Sequence, residues 1–91
     1  MTLSPKSRQQ LKAKAHSLKP VILIGNKGLS DAVKKEIDIA LDFHELIKIR
    51  IPVADRELRR EVFDEICQSS SAEPVQLIGN IGVIYRKNVE K

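Results

Sequence analysis

The segment spanning residues 21–31 constrains the fold more than any other part of the chain. It opens with four apolar residues, 21–24, three of them β-branched, and this composition predicts a buried β-strand. Residues 25–28, Gly-Asn-Lys-Gly, predict a turn, because glycine and asparagine tolerate positive φ. Ser30 is a favourable N-cap, so a helix is expected to begin at Asp31. The segment therefore predicts a strand, a glycine-rich turn and the start of a helix.

The turn itself has the features of an anion site. Gly25 and Gly28 leave backbone N–H groups bare, and Asn26 and Lys27 lie between them, beside the positive end of the expected helix. The turn is not a dedicated nucleotide-binding loop, because the carboxylate of Asp31 already lies at the positive end of the helix. It also lacks the Gly-Lys-Ser/Thr ending of a P-loop and the third glycine of a dinucleotide fingerprint. The expected anion is a nucleic-acid phosphate.

Charge is distributed unevenly along the 91 residues. The first 30 residues contain six of the 16 basic residues and none of the 12 acidic ones. The formal net charge of +4 is therefore concentrated on the first helix and the glycine-rich turn. This asymmetry favours a polyanionic partner, the alternative being a solvated basic surface that aids solubility.

The first helix is expected to start after Ser4, with Pro5 in its first turn, and to run to about Leu18. Three of its basic residues recur at intervals of four on one face: Arg8, Lys12 and His16. They form either a plain exposed face or a second strip of phosphate contacts.

The second helix is expected over residues 31–44, with an apolar face that ends at His44. Lys34, in its second turn, could assist an anion at the glycine-rich turn. A strand follows in which isoleucines alternate with basic residues. Its core face carries Ile47, Ile49 and Ile51, so Lys48 and Arg50 point the other way and give the strand a basic face.

The third helix is expected over residues 56–69 after the N-cap Asp55, with a mixed-charge surface and a buried face made by Leu58, Val62, Phe63, Ile66 and Cys67. Two further strands, 75–78 and 83–86, are joined by residues 79–82 as a hairpin. Arg86 ends the last strand with a positive charge and is a further candidate for a nucleic-acid contact.

These elements predict a single α/β domain over residues 1–91, with a four-stranded mixed sheet, three helices and the order α-β-α-β-α-β-β. The two long crossovers permit parallel strand pairing and the last hairpin is antiparallel, whereas the remaining strand order stays open.

Catalytic chemistry has little support in the sequence. The two histidines lie on separate helices without metal-ligand spacing, the carboxylates are scattered, and the one cysteine, Cys67, is expected to be a core filler. We expect no enzyme activity, no metal and no cofactor. The three aromatic residues, Phe43, Phe63 and Tyr85, are expected in the core or the sheet, so stacking on bases is not expected to dominate any nucleic-acid recognition.

The apolar runs are too short to span a bilayer, no secretory signal is visible, and a single cysteine fits a reducing compartment. We therefore expect a cytoplasmic protein without membrane contact, and a monomer.

Two heptapeptides carry a family resemblance: residues 24–30, Ile-Gly-Asn-Lys-Gly-Leu-Ser, and residues 44–50, His-Glu-Leu-Ile-Lys-Ile-Arg. Together with residues 77–79 and the pair Tyr85-Arg86, they resemble the CRM domain (chloroplast RNA splicing and ribosome maturation). The likeness covers nearly the whole chain. The chain is similar to the bacterial single-domain members of the YhbY type.

The resemblance implies an RNA-binding module that associates with precursors of the large ribosomal subunit, and a fold similar to the C-terminal domain of translation initiation factor 3. It implies that residues 25–28 form an RNA-binding loop like the G-x-x-G loop of KH domains. Arg8, Lys12 and Arg86 are candidates from charge placement alone. An alternative function is a protein-interaction adaptor that docks on a ribosomal protein or assembly factor through the charged surface of the third helix.

Overall fold

The computed structural model describes residues 3–25 and 28–88 and confirms the expected order of elements. The helices and strands are α1 (Pro5–Ala15), β1 (Pro20–Leu23), α2 (Asp31–His44), β2 (Leu46–Arg50), α3 (Arg56–Ser70), β3 (Glu73–Ile78) and β4 (Ile81–Tyr85).

The four strands form one mixed sheet in the order β1-β2-β4-β3. β1 and β2 are parallel, with α2 as the crossover between them, and the β2–β4 and β3–β4 pairs are antiparallel. The strand order that the sequence left open thus places β1 and β3 at the two edges.

The sheet is covered on both faces, and β2 shows how the faces divide. Ile47 and Ile49 are buried on the face that packs against α2 and α3, whereas Leu46 is buried on the face that packs against α1. The larger cluster contains Ile37 and Leu41 of α2 together with the buried residues of α3. The core is therefore concentrated on the α2–α3 side, and α1 covers a smaller cluster of Ala15, Leu46, Val75 and Val83.

All three expected helix caps are present. The Ser4 and Ser30 hydroxyl oxygens accept from the N–H groups of Ser7 and Val33, and Asp55 accepts from Leu58. Each cap is a contact between neighbours in the chain, which is why the sequence predicts the starts of the helices well.

The end of α1 was predicted too late. The helix stops at Ala15, followed by two turn residues, and does not continue to Leu18. The chain leaves the helix through a turn, in which the Leu18 N–H donates to the carbonyl oxygen of Ala15 (2.9 Å).

The loop of the β3–β4 hairpin is shorter than predicted. Ile78 pairs with Ile81, so the loop consists of Gly79 and Asn80 alone, and Gly82 belongs to β4. Gly79 has φ +53°, the positive value that a two-residue hairpin with glycine in its first position requires. Gly82 has a different role, because a Cβ there would lie 2.7 Å from Cδ1 of the buried Phe63.

The solvent exposure of three side chains differs from what the sequence predicts. Phe43 is 78% exposed because it lies two residues beyond Leu41, about 200° around α2 from the buried face. His44 is exposed, and Leu58 is 50% exposed although both were assigned to apolar faces. The last two lie in terminal turns of α2 and α3, beyond the turns that the core covers.

Arg86 links three elements of the fold at the C-terminal end of α2. Its guanidinium donates to the carboxylates of Asp38 (2.9 Å) and Asp42 (3.0 Å) and to the carbonyl oxygens of Asp38 and Ser70. Its backbone N–H donates to the carbonyl oxygen of Glu45, the residue that links α2 to β2 with φ +61°. One side chain thus joins β4 to α2 and to the end of α3.

We predict that Gly82→Ala lowers the free energy of unfolding by about 1–3 kcal/mol, because the added methyl group overpacks the ring of Phe63. For a domain of this size the melting temperature falls by about 4–8 °C per kcal/mol. Gly25→Ala is the matched control, since its Cβ would meet nothing within 4 Å. Equal melting temperatures for the two variants in a thermal unfolding experiment would contradict this packing role.

Candidate nucleic-acid interface

The glycine-rich loop begins where β1 ends, and its described part is open. Gly25 is exposed, and a Cβ added at Gly25 or at Gly28 would meet no atom within 4 Å. Gly28 has φ +69°, as expected of a glycine in this turn. Asn26 and Lys27 lie outside the described residues. The two glycines therefore leave room for another molecule to approach the backbone.

One expected feature of the loop is wrong. The N–H of Gly28 is not bare, since it donates to the carbonyl oxygen of Gly25 (3.0 Å) and closes the turn. The next helix is also capped internally, because the Ser30 hydroxyl accepts from the Val33 N–H (3.3 Å). The loop thus offers open space beside the start of α2, but its backbone N–H groups are not all free to bind an anion.

Arg50 lies directly beside the loop. The backbone N–H of Ile24 donates to the carbonyl oxygen of Arg50 (2.9 Å), and Leu23 pairs with Arg50 in the sheet. Because β1 and β2 are parallel, their carboxyl ends meet at the same edge, which is where the loop starts. Arg50 is exposed there and, with Leu23 and Lys19, lines a shallow depression of about 670 Å³.

Lys48 continues this basic surface along β2. It lies two residues before Arg50, hence on the same face of the sheet, about 7 Å away. This face is the one that α1 covers in part, and Lys48 lines a groove there with Lys12 and His16 of α1. The structure thus brings together basic residues that are far apart in the chain.

The groove, of about 240 Å³, lies between α1 and the strands β2, β4 and β3. Sequence analysis missed two of its residues, Gln76 and Ile78 of β3. A β-bulge between Pro74 and Gln76 places Val75 and Gln76 on the same face, which strict alternation would not predict.

The remaining candidates occupy different positions. Arg8 is one helical turn before Lys12 and is partly buried, with its Nε atom buried and without a hydrogen-bond partner in the described chain. Lys34 is partly buried in the first turn of α2, beyond the Ser30 cap. Arg86 is not part of this surface, because it lies at the opposite end of α2 and its charge is compensated by Asp38 and Asp42.

The basic residues of the surface are electrostatically uncompensated. Across residues 3–25 and 28–88, Lys12, Lys48 and Arg50 form no ion pair, and no acidic side chain lines the groove. Arg60 and Arg86, by contrast, pair with carboxylates on α3 and α2. Uncompensated positive charge therefore lies along α1 and β2, up to the start of the glycine-rich loop.

Cys67 is a buried thiol in the core, as expected. Burial raises its pKa to about 12, aided by the carboxylates of Asp64 and Glu73 and opposed by Arg60. The thiol is thus protonated at neutral pH and is a weak nucleophile.

The described residues contain no group of three His, Cys, Asp or Glu side chains suited to hold a metal ion. No helix within that part of the chain is both long and apolar enough to cross a membrane.

The chain is similar to proteins named as RNA-binding. The chain is 45% identical over 89 residues to an RNA-binding protein of Haemophilus influenzae, covering 98% of this chain and 90% of that protein. It is 41% identical over 88 residues to a probable RNA-binding protein of Pseudomonas aeruginosa, covering 97% and 85%.

A solved structure has the same fold. The solution structure of a hypothetical protein of Staphylococcus aureus, described as a candidate RNA-binding protein, superposes with a TM-score of 0.85 at 31% identity. The match covers 98% of this chain and 93% of that one.

The model of the CRS1/YhbY (CRM) domain family matches residues 3–86, and with this match over nearly its whole length the chain belongs to the CRS1/YhbY (CRM) domain family.

Proposed function

We propose that the protein is a non-catalytic RNA-binding protein that contacts the RNA backbone through residues 25–28 and the adjoining basic surface. The observation that carries this proposal is the run of uncompensated positive charge from Arg50, beside the open loop, through Lys48 to Lys12. The RNA-binding relatives and the family membership support RNA as the polyanion.

In this proposal each part of the surface has a distinct task. Gly25 and Gly28 let a phosphate approach the backbone, and Lys27 supplies charge at the point of contact. Arg50 and Lys48 extend the contact along β2, and Lys12 adds a cation from α1. Phosphate contacts of this kind fix the position of the RNA and carry little sequence information.

We further propose that the RNA is part of the precursor large ribosomal subunit and that the protein assists ribosome assembly in the cytoplasm, as a monomer. The resemblance to the CRM family supports this assignment. Lys34 and Arg8 flank the surface and are proposed as peripheral contacts, whereas Arg86 is left out because its guanidinium is engaged by Asp38 and Asp42.

We predict that Lys27→Glu and Gly25→Asp each weaken binding to large-subunit ribosomal RNA by at least about tenfold, because each places a negative charge where a phosphate would lie. The melting temperature should change little, since a side chain at position 25 has open space. Gly28→Asp is a poorer variant because φ +69° strains any side chain there. Filter binding with a transcribed RNA measures the affinity.

The matched control is Lys87→Glu, a charge reversal at an exposed residue next to Arg86, at the opposite end of the sheet. Like Lys27→Glu it replaces a positive by a negative charge, a larger change in net charge than Gly25→Asp makes, and it should leave the affinity within about twofold. If Lys27→Glu, Gly25→Asp and Lys87→Glu all bind RNA with the affinity of the wild type, the loop is not the contact. If Lys87→Glu weakens binding equally, only net charge matters.

We predict that the logarithm of the RNA association constant falls with the logarithm of salt concentration with a slope of about −2 to −4, as expected for three or four neutralised phosphates. The double variant Lys48→Gln/Arg50→Gln should make this slope shallower by about 1.5. Equal salt slopes for the wild type and the double variant would show that Lys48 and Arg50 of β2 make no phosphate contact.

A second candidate function is a protein adaptor, and one observation favours it. Ile39 and Phe43 lie one turn apart on α2 and are both exposed, which gives the helix a small apolar surface. The sequence pointed instead to the charged surface of α3. Either surface could contact a ribosomal protein or an assembly factor.

We predict that mild ribonuclease treatment releases the protein from precursor large-subunit particles, because RNA supplies the main contact. Gradient sedimentation with and without nuclease measures the release. The variant Phe43→Ser should co-sediment like the wild type. Retention after nuclease treatment, together with loss of co-sedimentation in Phe43→Ser, would favour the adaptor.

A further inference from the structure

The groove between α1 and the strands β2, β4 and β3 collects hydrogen-bond donors and cations from distant parts of the chain. We propose that it is a site for one phosphate of the RNA backbone and that His16 makes the affinity of this site depend on pH. The side chains that hold the phosphate are those of Lys12, His16, Lys48 and Gln76. This inference deepens the proposed function and rests on it.

The register of the sheet places two of these side chains in one row. Val83 of β4 pairs with Lys48 of β2 on one side and with Gln76 of β3 on the other. Paired residues point to the same face, and Val83 belongs to the cluster under α1, so Lys48 and Gln76 also lie on the α1 face. Neighbouring strands are about 4.8 Å apart, so the two residues are about 10 Å apart, and their long side chains can converge on a group between them.

The end of α1 supplies the other two side chains. Lys12 and His16 are four residues apart, so they lie one above the other on the same face of the helix, and both line the groove. His16 is the C-cap of α1, where the partial negative charge of the helix end stabilises a protonated imidazole. That partial charge, about −0.5, is smaller than the two full positive charges of Lys12 and Lys48, so the groove still attracts an anion.

The groove has the charge that a phosphate requires. Lys12, Lys48 and Gln76 are partly buried, and His16 is exposed. Among the side chains that the structure describes, these four have no ion pair and no hydrogen-bond partner, and no acidic one lines the groove. A bound anion would reduce the repulsion between the cations and accept hydrogen bonds from their N–H groups.

The size and lining of the groove favour a phosphate over a larger ligand. Its volume is about 240 Å³, below the range of about 300–1,000 Å³ that pockets for drug-sized molecules have. The side chains of Ala15 and Val83 are apolar and buried, so the polar side chains at the rim determine what binds. Each of these polar side chains can donate a hydrogen bond, and a phosphodiester only accepts.

His16 is the residue that couples the site to pH. A protonated imidazole is positively charged and donates from both ring nitrogens, whereas the neutral ring donates from one. Histidine changes its charge between about pH 5 and pH 8, and a phosphate binds the charged form more tightly, so the affinity for RNA rises as the pH falls. The groups that face His16 are Lys12 of α1, Lys48 of β2 and Gln76 of β3, and β4 contributes only apolar side chains.

The test measures the dissociation constant for transcribed large-subunit ribosomal RNA by filter binding at about pH 8 and about pH 6, at constant ionic strength. The wild type should bind about three- to fivefold more tightly at the lower pH, the gain expected of one added ion pair at a partly exposed site. His16→Gln should bind equally at both pH values, and because His16 is exposed its replacement should not disturb folding. The matched control is His44→Gln, the other of the two histidines, which does not line the groove and should leave the pH dependence unchanged.

His16→Arg provides a second variant, because a guanidinium stays charged over this range. It should bind at both pH values at least as tightly as the wild type binds at the lower one. The salt dependence gives a second measurement. For the wild type, the slope of the logarithm of the association constant against the logarithm of salt concentration should be steeper at the lower pH by about 0.7–0.9, since one more phosphate is neutralised. His16→Gln should remove this difference.

A wild-type affinity that does not change with pH would overturn the phosphate site. A pH dependence that survives in His16→Gln, or that is lost in His44→Gln, would also overturn it. In each of these cases loss of ribosomal RNA binding in Lys27→Glu would still uphold the proposed function, whereas undiminished binding in that variant would overturn the proposed function itself.

Discussion

The parallel pairing of β1 with β2 determines where the candidate interface lies. Parallel strands end at the same edge, so the glycine-rich loop that follows β1 begins beside Arg50, the last residue of β2. The hydrogen bond from the Ile24 N–H to the Arg50 carbonyl oxygen continues the pairing to the first residue of the loop. A short polar loop is thereby held by a hydrogen-bonded sheet and a capped helix on its two sides, which limits the motion of its ends.

The two ends of α2 have opposite electrostatic character. At the C-terminal end, Arg86 meets Asp38 and Asp42, and its charge is compensated within the fold. At the N-terminal end, Lys48 and Arg50 of β2 have no such acidic partners among the described residues. An arginine held by two carboxylates and two carbonyl oxygens contributes to the structure, whereas an unpaired one is available to a ligand. The difference explains why charge alone was a poor guide to Arg86.

Local signals in the sequence predicted the elements, and nonlocal contacts account for what was missed. The caps Ser4, Ser30 and Asp55 bond to residues three positions ahead, so they are visible without a fold. The isoleucines of β2 likewise show their face by alternation. The exposure of Leu58, the role of Gly82 opposite Phe63 and the partners of Arg86 depend on which elements pack together. For the candidate site, the sequence identified the basic residues, but the bulge that directs Gln76 into the groove leaves no clear pattern in the sequence.

The unequal packing of the two sheet faces makes room for such a groove. The larger cluster, on the α2–α3 side, contains Phe63 and the isoleucines of β2, and it supplies most of the apolar burial that stabilises the domain. The smaller cluster under α1 needs only to hold that helix in place, which leaves Ile78 exposed beside it. Unpaired cations and exposed apolar side chains contribute little to stability, so a fold tolerates them only where other contacts maintain it. In this domain the α2–α3 face provides those contacts, and the α1 face can therefore leave Lys12, Lys48 and Ile78 without partners that stabilise the fold.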